Sequence, residues 1–180
     1  MSTNTTDLNL DQPLTNFSRC HEGILSHLDN FGELPALLEP HARAHQIAKD
    51  TVLFFRAAVY EHHAEEEREL FPAVLKSASP GEEHDTVRNM VDWLTQEHRD
   101  IEWLWSQIEP QLKKLAKGQE EKLDPASISQ LVSRYKAHAK FEEEEFLPLS
   151  EAILGRDTNH MAALGLSMHM RHAPHVVGHI

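Results

Sequence analysis

His62-His63-Ala64-Glu65-Glu66, running on to Phe71-Pro72, returns 76 residues later as His138-Ala139-Lys140-Phe141-Glu142, running on to Leu147-Pro148. Each copy carries a His and a Glu four residues apart. On a helix, residues i and i+4 stack on one face, so each pair presents two metal-capable donors in the same direction. The repeat extends upstream, because His21 precedes His62 by 41 residues and His98 precedes His138 by 40. Four histidines and two glutamates thus form two copies of one half-site.

The surrounding sequence has helical period throughout. Leu14, Phe17, His21, Ile24, Leu28 and Phe31 step by threes and fours, the seam of an amphipathic first helix that Gly32 and Pro35 end. Residues 37–49 read as a partly helical connection, with Asp50 and Thr51 as the N-cap of a second helix whose stripe is Val52, Phe55, Val59, His62, Glu66, Glu69 and Ala73. The cluster Ser77 to Gly81 breaks it. A third helix carries Val87, Val91, Leu94, His98, Ile101, Trp105, Ile108, Leu112 and Leu115, with Pro110 a candidate kink near its end. After a polar turn at 118–122, Asp124-Pro125 supplies an N-cap and a Pro at N1 for a fourth helix. Its stripe runs through Ile128, Leu131, Tyr135, His138, Glu142, Glu145, Leu149 and Ile153 to Gly155. Four helices with short connections and one apolar stripe each predict an all-α, up-down-up-down four-helix bundle with a short C-terminal extension. The expected organisation is a flexible N-terminus over 1–13, the bundle over 14–155 and a His-rich extension over 156–180.

Length and charge narrow the function. At 180 residues the chain is sized for one domain with a real core. Its single cysteine, Cys20, excludes an intrachain disulfide and suits a reducing compartment, and the first residues lack a basic, apolar leader, so the expected location is the cytoplasm. No apolar run approaches the roughly 20 residues needed to span a bilayer. A net charge of −12 opposes phosphate backbones and anionic lipid, so neither nucleic acid nor membrane is an expected partner.

In all four stripes a position that should be apolar is His, and in the second and fourth helices the next stripe position is Glu. A buried carboxylate must be paired, protonated or bound to metal. One core histidine is ordinarily just a hydrogen-bonded one, but six donors at one level of four helices need a common partner. Imidazoles with carboxylates suit iron, manganese or zinc, and two carboxylates can bridge a pair of cations. Ferritin-like bundles instead carry Glu-x-x-His on their helices. Here Val59 and Tyr135 stand three residues before His62 and His138, so that pattern fails at both sites.

With these marks the chain resembles the hemerythrin-like family of HHE cation-binding domains over roughly residues 14 to 155. The marks are a His on the first helix, His-x3-Glu with a following Phe-Pro on the second, a His on the third and a His-plus-carboxylate pair on the fourth. The resemblance implies that His21, His62, Glu66, His98, His138 and Glu142 hold an oxo- or hydroxo-bridged pair of iron ions, the glutamates bridging and the histidines terminal. Two departures stand out. Oxygen-carrying hemerythrins have a further His one turn before the third-helix histidine, where this chain has Leu94, and an Asp five residues after the fourth-helix His, where this chain has Glu142 at four. Two imidazoles per ion predict open positions at both metals. That favours reaction with dioxygen, peroxide or nitric oxide over reversible carriage. An iron- or oxygen-sensing regulatory module and a zinc-loaded structural bundle use the same donors, so catalysis remains open.

Several further residues bear on the site. The Tyr135 hydroxyl is within one turn of His138, as a partner of the centre or as an ordinary core group. Glu69 and Glu145 are candidate acceptors for imidazole N–H groups, or a charged rim. His63 points about 100° away from His62 on an ideal helix, which puts it outside the centre unless it serves as an accessory ligand. Cys20, Glu97, Trp93, Trp103 and Trp105 read as packing or interface residues, and Glu65 to Glu67 with Glu143 and Glu144 mostly as solvated faces. The tail, with Met168-His169-Met170-Arg171-His172, His175 and His179, has three readings: a fifth helix, a homodimer contact or a second metal site.

Overall fold

A computed structural model describes residues 13–37, 41–119 and 122–157. The terminal segments, and with them the readings of the His-rich tail, lie outside the described residues. Within these, four long helices and one 3-10 turn, Leu34–Leu37, account for the regular structure, with no strand. α1 is Pro13–Gly32, α2 spans 41–77, α3 is Glu82–Leu115 and α4 spans 125–154. Helices consecutive in sequence pack on each other, and α4 returns to pack on α1, closing a four-helix bundle.

The caps follow the sequence. The Asp124 carboxylate accepts from the N–H groups of Ala126 and Ser127 at 3.2 and 3.1 Å, which starts α4 with Pro125 in its first turn. Gly81 enters α3 with φ of 104°, a conformation other residues rarely adopt. Pro110 leaves α3 unbroken to Leu115.

The start of α2 differs from the expectation. The helix begins at His41 rather than near Asp50, because Ala44, Ala48, Thr51 and Phe55 are all buried and continue one inward stripe. Asp50 does not cap; its carboxylate accepts from Gln46 Nε2 one turn back at 2.8 Å.

Three turns of the bundle are widened, each by one residue. In α2 the N–H of Tyr60 donates to the carbonyl of Phe55, and that of Phe71 to Glu66; in α4 the N–H of Leu147 donates to Glu142. All three bonds reach back five residues. The second and third widenings precede Pro72 and Pro148, residues that lack an N–H and whose rings would strike the carbonyl four residues back in a regular helix. The repeated Phe-Pro and Leu-Pro endings therefore have a structural meaning: they impose a wide turn directly after each glutamate of the repeat.

The core divides into two apolar clusters. One holds Ile24, Leu28, Phe31, Phe55, Trp105, Leu131 and Tyr135; the other holds Phe17, Leu70, Phe71, Leu94 and Phe146. In chain order, His21, His62, His98 and His138 each fall between a residue of one cluster and a residue of the other. Of the tryptophans only Trp105 is core, stacked on Phe55 with ring centroids 4.0 Å apart. Trp103 is 62% exposed and Trp93 tilts over Phe141 at the surface. None of the described helices is long and apolar enough to cross a membrane.

Candidate metal centre

All six residues singled out in the repeat converge in the layer between the two clusters, each with 2% exposure or less. Their placement is paired. His21 and His62 face each other with Nε2 atoms 2.7 Å apart. Glu66 presents Oε1 to His62 at 3.4 Å and Oε2 to His98 at 3.3 Å. Glu142 presents Oε2 to His21 at 2.6 Å and Oε1 to His138 at 3.4 Å. Each carboxylate therefore spans two histidine sets, one oxygen to each. His21, His62, Glu66 and Glu142 form one group of donor atoms within 4.8 Å of one another, and Glu66, His98, His138 and Glu142 form another.

Most of these atoms lack a hydrogen-bond partner. Glu66 Oε2, both Glu142 oxygens, His98 Nε2 and His138 Nε2 are buried without one; the close Glu142–His21 approach is not aligned as a hydrogen bond. An unsatisfied buried polar atom costs about 1–3 kcal/mol. Several in one layer add up to a cost comparable with the roughly 5–15 kcal/mol net stability of a whole domain. Cations shared by the two carboxylates satisfy these atoms at once, so the donor set fits bound metal.

The electrostatics divide the histidines. Burial and the neighbouring imidazoles, opposed by Glu66, hold His62 down at about 3, and burial with the same kind of crowding holds His138 at about 3. Both rings stay neutral with lone pairs available. Burial also disfavours protonation of His21, but Glu142 and Glu143 outweigh it and raise this ring to about 10. His98 is raised too, burial again being overcome by Glu66 and Glu67. These are the two rings that the carboxylates approach most closely.

Behind the layer lies a set of acceptors different from the one expected. His21 Nδ1 bonds Glu143 at 2.8 Å, and His98 Nδ1 bonds Glu67 at 2.8 Å. Glu143 also accepts from Ser18 Oγ at 2.7 Å, and Glu67 from Arg99. The Nδ1 bonds of His21 and His98 go to these two residues rather than to Glu69 and Glu145. The wide turn after each glutamate brings residues four and five ahead inward, Leu70 and Phe71 in α2 and Phe146 and Leu147 in α4, and in α4 leaves Glu145 exposed. Nor is the Glu65–Glu67 run a solvated face, since Glu65 and Glu66 are buried. The only signal in the sequence for Glu67 and Glu143 is their own 76-residue repeat.

His63, expected off the centre, is in it. It is 1% exposed, its ring stacks on that of His98 at 3.9 Å and 5°, and it joins His98 and His138 in a third group of donors. The Tyr135 ring lies 5.7 Å from that of His138, and its buried hydroxyl has no hydrogen-bond partner. Burial lifts that phenol well above its usual value. Cys20 is half-buried beside the layer, its thiol pushed up to about 12 by burial and by Glu66. Phe55, Ile101, Trp105 and Leu131 of one apolar cluster and Leu94 of the other are all at 1% exposure or less.

Comparison with known proteins agrees with this geometry. A Haemophilus influenzae protein described as an uncharacterized protein is 26% identical over 160 residues, which covers 85% of this chain and 90% of its own length. No solved structure matches. The family model described as Hemerythrin HHE cation binding domain matches residues 12–150. With its helical bundle and its buried histidine and glutamate groups, this chain belongs to the hemerythrin HHE cation-binding domain family.

Proposed function

We propose that the chain is a non-haem di-iron protein that binds or reacts with a small oxidant: dioxygen, peroxide or nitric oxide. The observation that carries this reading is the division of each carboxylate, Glu66 and Glu142, between two histidine sets. Two cations sharing two carboxylates is the arrangement that uses all four oxygens. His21 and His62 would hold one ion, His98 and His138 the other. Bound iron would supply the electrons and the coordination position that a small oxidant needs.

The protein's own residues set the conditions. Glu143 and Glu67 accept from the Nδ1–H of His21 and His98, which turns Nε2 of each ring toward the centre and makes the ring a better donor. Phe55, Leu94, Ile101, Trp105 and Leu131 keep bulk water out, favouring a small uncharged ligand over a hydrated ion. The Tyr135 hydroxyl, high in pKa and without a partner, is a proton-bearing donor next to His138.

Iron analysis with ultraviolet-visible spectra of protein expressed with iron tests the proposal, with two irons per chain expected. Fewer than two metals per chain overturns it. A colourless, redox-silent zinc protein would establish a structural bundle instead. Iron binding that alters protease resistance without turnover of peroxide or nitric oxide would establish a sensing module.

A further inference from the structure

The two halves of the centre obey the sequence repeat at all six residues of the layer and at the two acceptors behind them. His21 corresponds to His98, His62 to His138 and Glu66 to Glu142, and the acceptors Glu143 and Glu67 correspond as well. His63, however, corresponds to Ala139, and Glu102, one turn after His98, corresponds to Leu25, one turn after His21. These two departures meet in space. His63 Nδ1 lies 3.2 Å from Glu102 Oε1. One half of the centre has therefore gained an imidazole together with the carboxylate that orients it, where the other half has Ala139 and Leu25.

We propose that His63 is a fifth imidazole donor, so that the two cation positions are unequal: His63, His98 and His138 serve one, His21 and His62 the other. The inference rests on the two-cation reading above and goes beyond it.

Three observations support it. The Nε2 atom of His63 is buried with no hydrogen-bond partner, and the ring offers a nitrogen within 4.8 Å of donor atoms of His98 and His138. Its Nδ1 is bonded to a carboxylate, as are those of His21 and His98, so the proton sits on the outer nitrogen and the lone pair on the inner one. Arg99 ties the arrangement together, pairing with Glu67 behind His98 and with Glu102 behind His63. A histidine present only for packing has no use for such an oriented, unsatisfied inner nitrogen.

Helix geometry explains how neighbouring residues serve different ions. His62 and His63 are about 100° apart around α2; His62 turns to His21 on α1, and His63 turns to His98 and Glu102 on α3. The third imidazole therefore comes from α2, compensating for Leu94 on α3. The cation beside His21 and His62 has fewer protein donors, so an added small ligand is expected there, against α1.

The test uses the full chain loaded anaerobically with ferrous iron. Native protein is expected to bind two irons per chain and to give two distinct Mössbauer doublets of equal area. In His63→Ala one iron of the two should bind at least about 10-fold more weakly, with the doublet of the other retained, and added imidazole should restore the lost one. Two irons in native protein with a single doublet would overturn the proposal without any variant. So would a His63→Ala protein that holds both irons with native affinity and native spectra. Native protein holding fewer than two irons would instead overturn the two-cation reading on which this one rests.

Discussion

Glu67 and Glu143 stand one residue past the two carboxylates of the repeat, yet they act on the neighbouring helices rather than their own. Each accepts from the Nδ1 of a buried histidine while remaining part-exposed itself, at 24% and 34%. They link the wet surface to the dry centre. Removing such a partner commonly lowers metal affinity about 10–100-fold. Glu67→Ala and Glu143→Ala are each expected to weaken iron retention by that order in competition with a chelator, while circular dichroism remains helical. Unchanged retention in both would show that the ring orientations need no carboxylate behind them. Glu67 is not distinguishable in sequence from Glu65 or Glu66 by residue type; what selects it is His98 on α3.

At the scale of elements, the ends of α3 and α4 are held to each other. Arg156, just past α4, pairs with Glu83 in the first turn of α3 at 2.5 and 2.8 Å and also reaches Ser79. The Arg156 guanidinium, with help from the Ser79 N–H, holds the Glu83 carboxyl at about 2 against an ordinary 4.5. A depressed acid contributes its stability above its ordinary pKa and loses it as pH falls through the folded value, so this clasp opens between about pH 4.5 and 2. Carbon-detected NMR should place the Glu83 titration near 2 and move it toward 4.5 in Arg156→Ala. A midpoint near 4.5 in the native chain would show the clasp open in solution. The same scale shows how far sequence period reaches. It located all four helices, the Asp124 cap and the ends at Gly32 and Gly155, but it missed the start of α2 at His41, and a strict 3.6-residue stripe put the exposed Glu145 on the seam. The proline endings were visible; their widening of the turn before them is a backbone effect that periodicity does not encode.

For the whole molecule, the bundle is two apolar clusters separated by a polar layer. Bound cations turn that layer from a cost into a contribution. A ligand that binds only the folded state, held at about 1,000 times its dissociation constant, stabilises by about 4 kcal/mol. At about 2–4 °C per kcal/mol for a chain of this size, the expected loss on metal removal is roughly 10 °C in melting temperature. Differential scanning calorimetry before and after chelation, with ferrous iron added back, checks this. A melting temperature unmoved by verified removal would mean that the layer is satisfied without cations.

The repeat by itself determined the helical class and the six residues that meet at one level of the bundle. Those follow from spacing, because residues four apart on one helix must share a face whatever surrounds them. The tertiary structure decided what each face meets. It put Glu67 and Glu143 behind the imidazoles, left Glu145 exposed past the wide turn of α4, and brought His63 beside His98 with Glu102 at its back. The sequence places a side chain only around its own axis, and a residue 100° off one seam gains its role from the helix packed against that side.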